Sequence, residues 1–338
     1  MFQSFSTTGI GSLPHSDPVE ACRVIFDSVD IPFWPQLPRR SFLEFMIPQY
    51  SESFPFIKIE GENIHIVEKV EKETVASFYE AIENREGFLI SEGYAAGLYA
   101  FIEILKKNKQ KLGVVKGQIT GPITFTLSLT DNQKRPIYFD EEIRELALEL
   151  LKGKAYWQIK TLRPYADEVL IFIDEPILSA LGTSTYIGVD TVEVLRLLSE
   201  LINHIKNSGA IAGIHCCSKA DWSLVLSSQP DVFNFDAYFF WDTVSLYSEE
   251  IKGFLDNGGF IAWGIVPTTD TIRGITLRDL KEQLERGLSS LEKIDIPRDK
   301  LRKQLLLTPS CGTGSMEVGD ALRVFSLLKE LRNSYAKD

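Results

Sequence analysis

Short apolar runs recur along this chain, each closed by polar residues and followed by an amphipathic stretch. Residues 113–119, 168–174, 210–215, 232–236, 260–266 and 305–308 are such runs. Their length and near-continuous apolar character predict parallel strands covered on both faces. Helical periodicity fills the gaps. The clearest helix begins at Asp190, where Asp190 and Glu193 predict an N-cap with a reciprocal partner. Val194, Leu195, Leu197, Leu198, Leu201, Ile202 and Ile205 then form one wide apolar stripe, and Asn207-Ser208-Gly209 predicts its stop. Residues 141–162 and 316–331 show the same periodicity. Residues 18–29 predict a further helix, which carries Cys22 into the core.

Strand and helix alternating in this way predict a parallel α/β fold. When residues 7–13 and 31–37 are counted, about eight units are present, which favours a (β/α)8 TIM barrel. The 338 residues fit one such domain, 1–338. A doubly wound open sheet is the alternative, weakened because no G-x-G-x-x-G follows the first strand. Residues 38–75 interrupt the pattern. Within them, 56–59 and 63–67, joined by Glu60-Gly61-Glu62, predict a β-hairpin insertion at about 55–68.

A net charge of −11 leaves no basic stripe to neutralise phosphates, so a nucleic-acid partner is not expected. No apolar run approaches the roughly 18–20 residues of a membrane span. Residues 1–8 carry no positive charge and no apolar stretch, so no secretory signal is predicted. Four cysteines in a chain this long do not make a disulfide framework. A reducing, cytoplasmic setting is expected, with the thiols free to act as ligands or nucleophiles.

The polar residues of interest sit at the predicted strand ends: Asp174-Glu175-Pro176, His215-Cys216-Cys217, Asp236, and Pro309-Ser310-Cys311-Gly312. In a (β/α)8 barrel these ends surround one mouth, where active sites are built. One imidazole and two thiolates from two strand ends would make an open tetrahedral zinc site with a position to spare. A thiol substrate entering that position would lose its proton near neutral pH and stay nucleophilic. The plainer alternative is that the cysteines are apolar filler. Asp174-Glu175-Pro176 reads either as a helix cap or as an anchor for a substrate ammonium. Asp236 is a candidate fourth ligand or an acceptor behind the ligands. The glycines of Thr8-Gly9-Ile10-Gly11-Ser12 allow close backbone approach to a ligand, but no Lys-Ser/Thr follows to make a P-loop. His15 is a loop ligand or a surface histidine, and His65 and His204 receive no role.

Taken in order, Thr8-Gly9-Ile10-Gly11-Ser12, Lys116-Gly117-Gln118-Ile119-Thr120-Gly121-Pro122, Ile173-Asp174-Glu175-Pro176, His215-x-Cys217 and Cys311-Gly312 form a recognisable set. The chain resembles the catalytic domain of cobalamin-independent methionine synthase. That domain belongs to a wider group with uroporphyrinogen decarboxylase and the corrinoid-dependent methyltransferases. The resemblance runs from residue 7 to about residue 330. It implies His215, Cys217 and Cys311 as zinc ligands and leaves Cys216 out. The family's fourth ligand, a Glu at the next strand end, corresponds to Asp236, which reaches the metal directly, through water, or not at all. The Ile10-Gly11-Ser12 backbone corresponds to the segment that holds the homocysteine carboxylate. Asp174 corresponds to the acid that holds the amino group, and Glu44 to a second such acid. Asp174 and Asp236 are the expected catalytic acids.

Two departures shape the expected reaction. Full-length synthases carry an additional N-terminal barrel, whereas this chain starts at the catalytic motif, as a short single-barrel member would. The family's catalytic His, at the strand end after residues 260–265, is replaced by Val266-Pro267-Thr268-Thr269. The expected donor is therefore a methylcorrinoid, methylcobalamin or a corrinoid protein, rather than methyl-tetrahydrofolate. The expected activity is zinc-dependent methyl transfer to a small-molecule thiol, homocysteine giving methionine, with coenzyme M as an alternative acceptor. A metal-free decarboxylase-like relative would need an Arg-lined mouth, for which only Arg39-Arg40 is at hand. A non-catalytic metal or corrinoid carrier is the third alternative.

Overall fold

The computed structural model describes residues 2–67 and 70–335. Two antiparallel strands, β1 (Ile57–Glu60) and β2 (Asn63–Ile66), form the expected hairpin around Gly61, whose φ is +62°. Glu68, at the end of the expected insertion, lies outside the described residues, as does Met1. The main sheet has six parallel strands in sequence order: β3 (Leu112–Thr120), β4 (Ala166–Asp174), β5 (Ile211–Cys216), β6 (Val232–Asp236), β7 (Phe260–Val266) and β8 (Leu305–Pro309). All six coincide with the apolar runs to within two residues at either end. Helices separate them, so the sheet curls with helices on its outer side.

The pleat sorts each strand by twos. Val169, Ile171 and Ile173 of β4, with Ala212, Ile214 and Cys216 of β5, face the helices and join the large core. Leu170, Phe172, Ile211, Val232, Ala262 and Leu306 face the other way and fill the concave side with Val114, Ile10 and Ile31. Further along the same concave face the side chains turn polar. Thr120, Asp174, His215 and Asn234 are successive partners across β3, β4, β5 and β6, forming a row along the C-terminal edge.

Residues 7–13 and 31–37, expected as strands, are extended but make only single bridges. Thr7 bridges Leu307 of β8, Ser12 bridges Gln36, and Phe33 bridges Lys116 of β3. These two segments therefore run from one edge of the six-stranded sheet to the other. Pro32 and Pro35 remove amide donors from the second segment, which prevents a continuous ladder. Of the eight strands expected, six are regular, and the other two segments make isolated bridges only.

The helix Thr191–Asn207 buries Val194, Leu197, Leu198, Leu201, Ile202 and Ile205, most of the expected stripe. Each such side chain contributes about 1.5–3 kcal/mol of burial. Asp190 caps it by accepting from the Val192 N–H at 3.0 Å. Glu193 does not return the favour as a capping box would. Arg196 and Arg144 take its carboxylate instead, because a guanidinium outcompetes an amide for it. The interrupted region also holds a 3-10 turn, Phe42–Glu44, and a short helix, Met46–Ser51, neither of them signalled by periodicity. Among the described residues no helix is long and apolar enough to cross a membrane.

Candidate metal centre

A ring nitrogen of His215 and the sulfurs of Cys217 and Cys311 lie within 4.8 Å of one another. Tetrahedral zinc, with Zn–S near 2.3 Å, needs ligand atoms about 3.8 Å apart, so the spacing suits one ion. His215 is the last residue of β5 to face the concave side, Cys217 directly follows the strand, and Cys311 comes just after β8. Cys216 points outward into the helix-facing core, where burial pushes its thiol up to about 12. Strand alternation alone therefore separates ligand from filler in the His-Cys-Cys triplet. Cys22 is likewise core, its thiol raised to about 12 by burial.

The tautomer of His215 is fixed by its neighbour across the ladder. Asn234 donates its amide N–H groups to the Ala262 carbonyl at 2.7 Å and to Thr308 Oγ1 at 2.8 Å. A carbonyl can only accept, so the Asn234 amide nitrogen faces it and Oδ1 faces His215. His215 Nδ1 must then be the protonated nitrogen, donating to Asn234 Oδ1. Nε2 is the nitrogen left over: it is buried without a hydrogen-bond partner of good geometry, and Cys217 beside the ring raises the group against the effect of burial. An imidazole oriented this way is what metal sites use. Sequence reasoning missed Asn234. Its one signal was an amide in the middle of the apolar run Val232–Asp236.

The thiols behave as a coupled pair. Hydrogen bonding from Cys311, then the nearby His215 ring, holds Cys217 below the usual thiol range against its own burial. The same contact with Cys217, with burial, pushes Cys311 well above that range. One negative charge is favoured on the pair and a second requires a cation. An orphaned imidazole nitrogen and two sulfurs that need a cation to ionise together fit a zinc ion.

The acids divide between two roles. Glu175 accepts from the Ile123 N–H at 2.9 Å, the Thr124 N–H at 2.8 Å and the Thr124 hydroxyl at 2.6 Å. It caps the helix Pro122–Ser128 from the adjacent strand end, and a Cβ on Gly121 would lie 2.1 Å from its Oε1. Asp174 faces the concave side, 7% exposed, and its Oδ1 has no partner. Burial raises it to about 6, against the opposing pull of His215 and Lys116. Asp174 is thus the acid left free, and Glu175 the cap.

Asp236 is not in the ligand group. Its Oδ1 accepts from the Phe239 N–H at 2.9 Å and caps the helix Ala237–Val244. The shorter side chain spends its reach on the cap, although burial still raises it to about 6. Glu44 is fully buried, accepting from the Leu37 N–H at 3.0 Å and pairing with Arg40 at 2.9 Å. Its carboxylate is committed to the loop. Arg39 pairs with Glu317 and donates to the Ser315 carbonyl, so neither arginine of that pair is free.

Ile10, Gly11 and Ser12 come to the ligand loop from the other end of the chain. The Ser12 carbonyl accepts from the Thr313 N–H at 2.9 Å, and Ser12 Oγ accepts from the Gly314 N–H at 3.2 Å. A Cβ on Gly312 would lie 2.2 Å from Ser12 Oγ, so the residue after Cys311 must be small for the two segments to meet. The N–H groups of Ile10, Gly11 and Ser12 donate to no described backbone carbonyl. Thr268, in the segment after β7, has its hydroxyl 3.2 Å from that of Ser310. His15 is buried with both ring nitrogens unpartnered and is not part of the ligand group. In comparison with known proteins, no family model matches the chain, and no curated protein matches it.

Proposed function

We propose that this chain is a zinc-dependent methyltransferase that methylates a thiol, homocysteine giving methionine, with a methylcorrinoid as donor. The observation that carries the reading is the free Nε2 of His215, oriented by Asn234 and set among two sulfurs at the strand ends. Zinc held by His215, Cys217 and Cys311 would supply the Lewis acidity that keeps an added thiol as thiolate at neutral pH. Asp174, with one oxygen unpartnered, suits an ammonium group. The free N–H groups of residues 10–12 suit a carboxylate. Together they fix an α-amino acid with its side chain towards the sulfurs, which supplies the orientation part of the rate.

The donor assignment rests on the strand end after β7. Residues 266–269 there hold no histidine, and the Thr268 hydroxyl meets that of Ser310 from the end of β8, so a leaving group that needs no proton is favoured. A methylcorrinoid, as methylcobalamin or on a corrinoid protein, has such a leaving group. The six-stranded sheet is extended in this reading to a (β/α)8 barrel, with residues 7–13 and 31–37 as its first two staves. Free thiols at the site suit the reducing cytoplasm.

Metal analysis and one assay test the proposal together. The purified protein is expected to hold one zinc per chain, lost in Cys217→Ser and in Cys311→Ser. It is expected to form methionine from homocysteine with methylcobalamin and not with methyl-tetrahydrofolate. Zinc below stoichiometry, or unchanged in both variants, would sink the metal assignment. Turnover of coenzyme M in place of homocysteine would reassign the acceptor.

A further inference from the structure

Lys116 is a lysine with no exposure at all, on the concave face of β3. Its ammonium lies 4.6 Å from the centre of the Phe172 ring and 5.4 Å from that of Phe33. Nζ donates to the Ile10 carbonyl, with Gln118 Oε1 at the outer limit of reach, 3.5 Å away. Burial lowers the group to about 7, and the charge that opposes this is Asp174. A cation held in an apolar layer without a direct carboxylate partner is costly. A methionine would fill the same space at less cost, so the charge calls for a purpose.

The bond to Ile10 has a geometric consequence. The Ile10–Gly11 peptide is trans, so its N–H points opposite to its C=O. Lys116 draws the carbonyl towards the apolar layer, which turns the Gly11 N–H away from it, and that N–H meets no described backbone carbonyl. The same contact polarises the peptide unit, making its N–H a stronger donor. Gln36 fixes the next unit by donating its N–H to the Gly11 carbonyl at 3.0 Å, which leaves the Ser12 N–H free in turn.

We propose that Lys116 is a positioning residue for the acid end of the acceptor, acting through the Ile10–Gly11 peptide and placing a positive charge behind the N–H groups that receive a carboxylate. Lys116 on β3 and Asp174 on the adjacent β4 then set opposite charges at two depths of the concave face, the pattern that selects a zwitterionic amino-acid thiol over a simple thiol. This rests on the reading of the site as an acceptor-thiol site.

Calorimetric titration of the zinc-loaded protein with L-homocysteine and with 3-aminopropane-1-thiol, its carboxylate-free counterpart, tests the proposal. The wild type is expected to bind homocysteine at least tenfold more tightly. Lys116→Met is expected to weaken homocysteine about tenfold to a hundredfold, the range for a hydrogen bond to a charged group, and to leave the carboxylate-free thiol within twofold. Lys116→Gln, which keeps a donor without the charge, is expected to fall between. Equal losses for both thiols would mean a structural role only, and an unchanged preference would mean none. Either result overturns the proposal while leaving the acceptor site standing. A wild type that binds neither thiol overturns the acceptor reading and this inference with it. A wild type that binds both equally overturns this inference alone.

Discussion

The sharpest consequence of the site concerns Asn234, a residue that would touch neither metal nor substrate. Its amide makes three buried hydrogen bonds, to His215, Ala262 and Thr308. Asn234→Leu keeps the branched shape, with some added bulk, and removes all three. Each buried donor or acceptor left unpaired costs about 1–3 kcal/mol, although the Thr308 hydroxyl can turn to limit its share. Loss of the acceptor on Nδ1 also frees the imidazole to adopt the other tautomer or to rotate. Partners of this kind are worth about tenfold to a hundredfold in metal affinity, or roughly 1.4–2.8 kcal/mol. Asn234→Asp is the informative companion. It keeps the acceptor for His215 but loses the donors to Ala262 and Thr308. Both variants should lose stability in urea denaturation of the metal-free protein. Only the leucine variant should lose zinc affinity by tenfold or more, measured by competition with a chromophoric chelator. A folded Asn234→Leu protein that holds zinc within twofold of wild type would refute the tautomer argument. So would an aspartate variant that loses as much zinc as the leucine variant.

Three further outcomes are expected. Asp174→Asn should raise the KM for homocysteine tenfold or more and leave binding of 4-mercaptobutanoate, which lacks the amine, unchanged; equal effects on both would remove Asp174 from the amino-group role. Gly121→Ala puts a methyl 2.1 Å from Glu175 Oε1 and should cost about 1–3 kcal/mol in urea denaturation, because the carboxylate must leave the amides it caps. A loss under 0.5 kcal/mol, on the order of an ordinary surface change, would contradict that packing. Lys154 is buried with Nζ on the Leu89 carbonyl at 2.7 Å, and burial lowers it to about 8 from 10.5. Between those two values the unfolded chain holds the proton and the folded one releases it, so stability rises with pH. From pH 8 to 10 the wild type should gain up to about 3 kcal/mol relative to Lys154→Met, and a flat difference would contradict the depressed value.

Much of this site was legible in one dimension because a parallel strand makes it so. An apolar run ended by a polar residue marks a strand end, and alternation then tells His215 and Cys217 from Cys216 without knowledge of any other strand. What stayed hidden depended on pairing between strands. Asn234 matters because the register sets it beside His215, and the sequence carries no record of that register. Asp174 and Glu175 could not be ranked from their own positions either, and only the resemblance singled out Asp174. The cap belongs to Glu175 because Gly121, just past the end of the neighbouring strand, leaves room for it. Asp236 lies near enough to Cys217 and His215 to feel their charges, yet its Oδ1 goes to the N-terminus of the helix that follows, a local claim that its position in the sequence does not reveal. Glu193 went the opposite way, taken from its own helix cap by two arginines. In each case a carboxylate found its role by competition among partners that only the fold assembles.

The hydrogen bonds around the ligands bear on what binding a metal would have to accomplish. From β6, Asn234 reaches β5 through His215, β7 through Ala262 and β8 through Thr308. Beyond β8, the Cys311 loop is held to Ser12 by the Thr313 and Gly314 amides. Both strand ends that carry the candidate ligands are therefore fixed by the sheet and its cross-ties, with the three ligand atoms within 4.8 Å of one another. In a zinc finger the ion must order its own ligands, so binding and folding are one event. Here the conformational cost falls on the fold. The remaining obstacle is electrostatic, since Cys217 and Cys311 resist ionising together. A dication removes that obstacle directly. Ligands held in place by the sheet rather than by the metal can also admit a further thiol without rearranging, which is the property that a thiol-activating site requires.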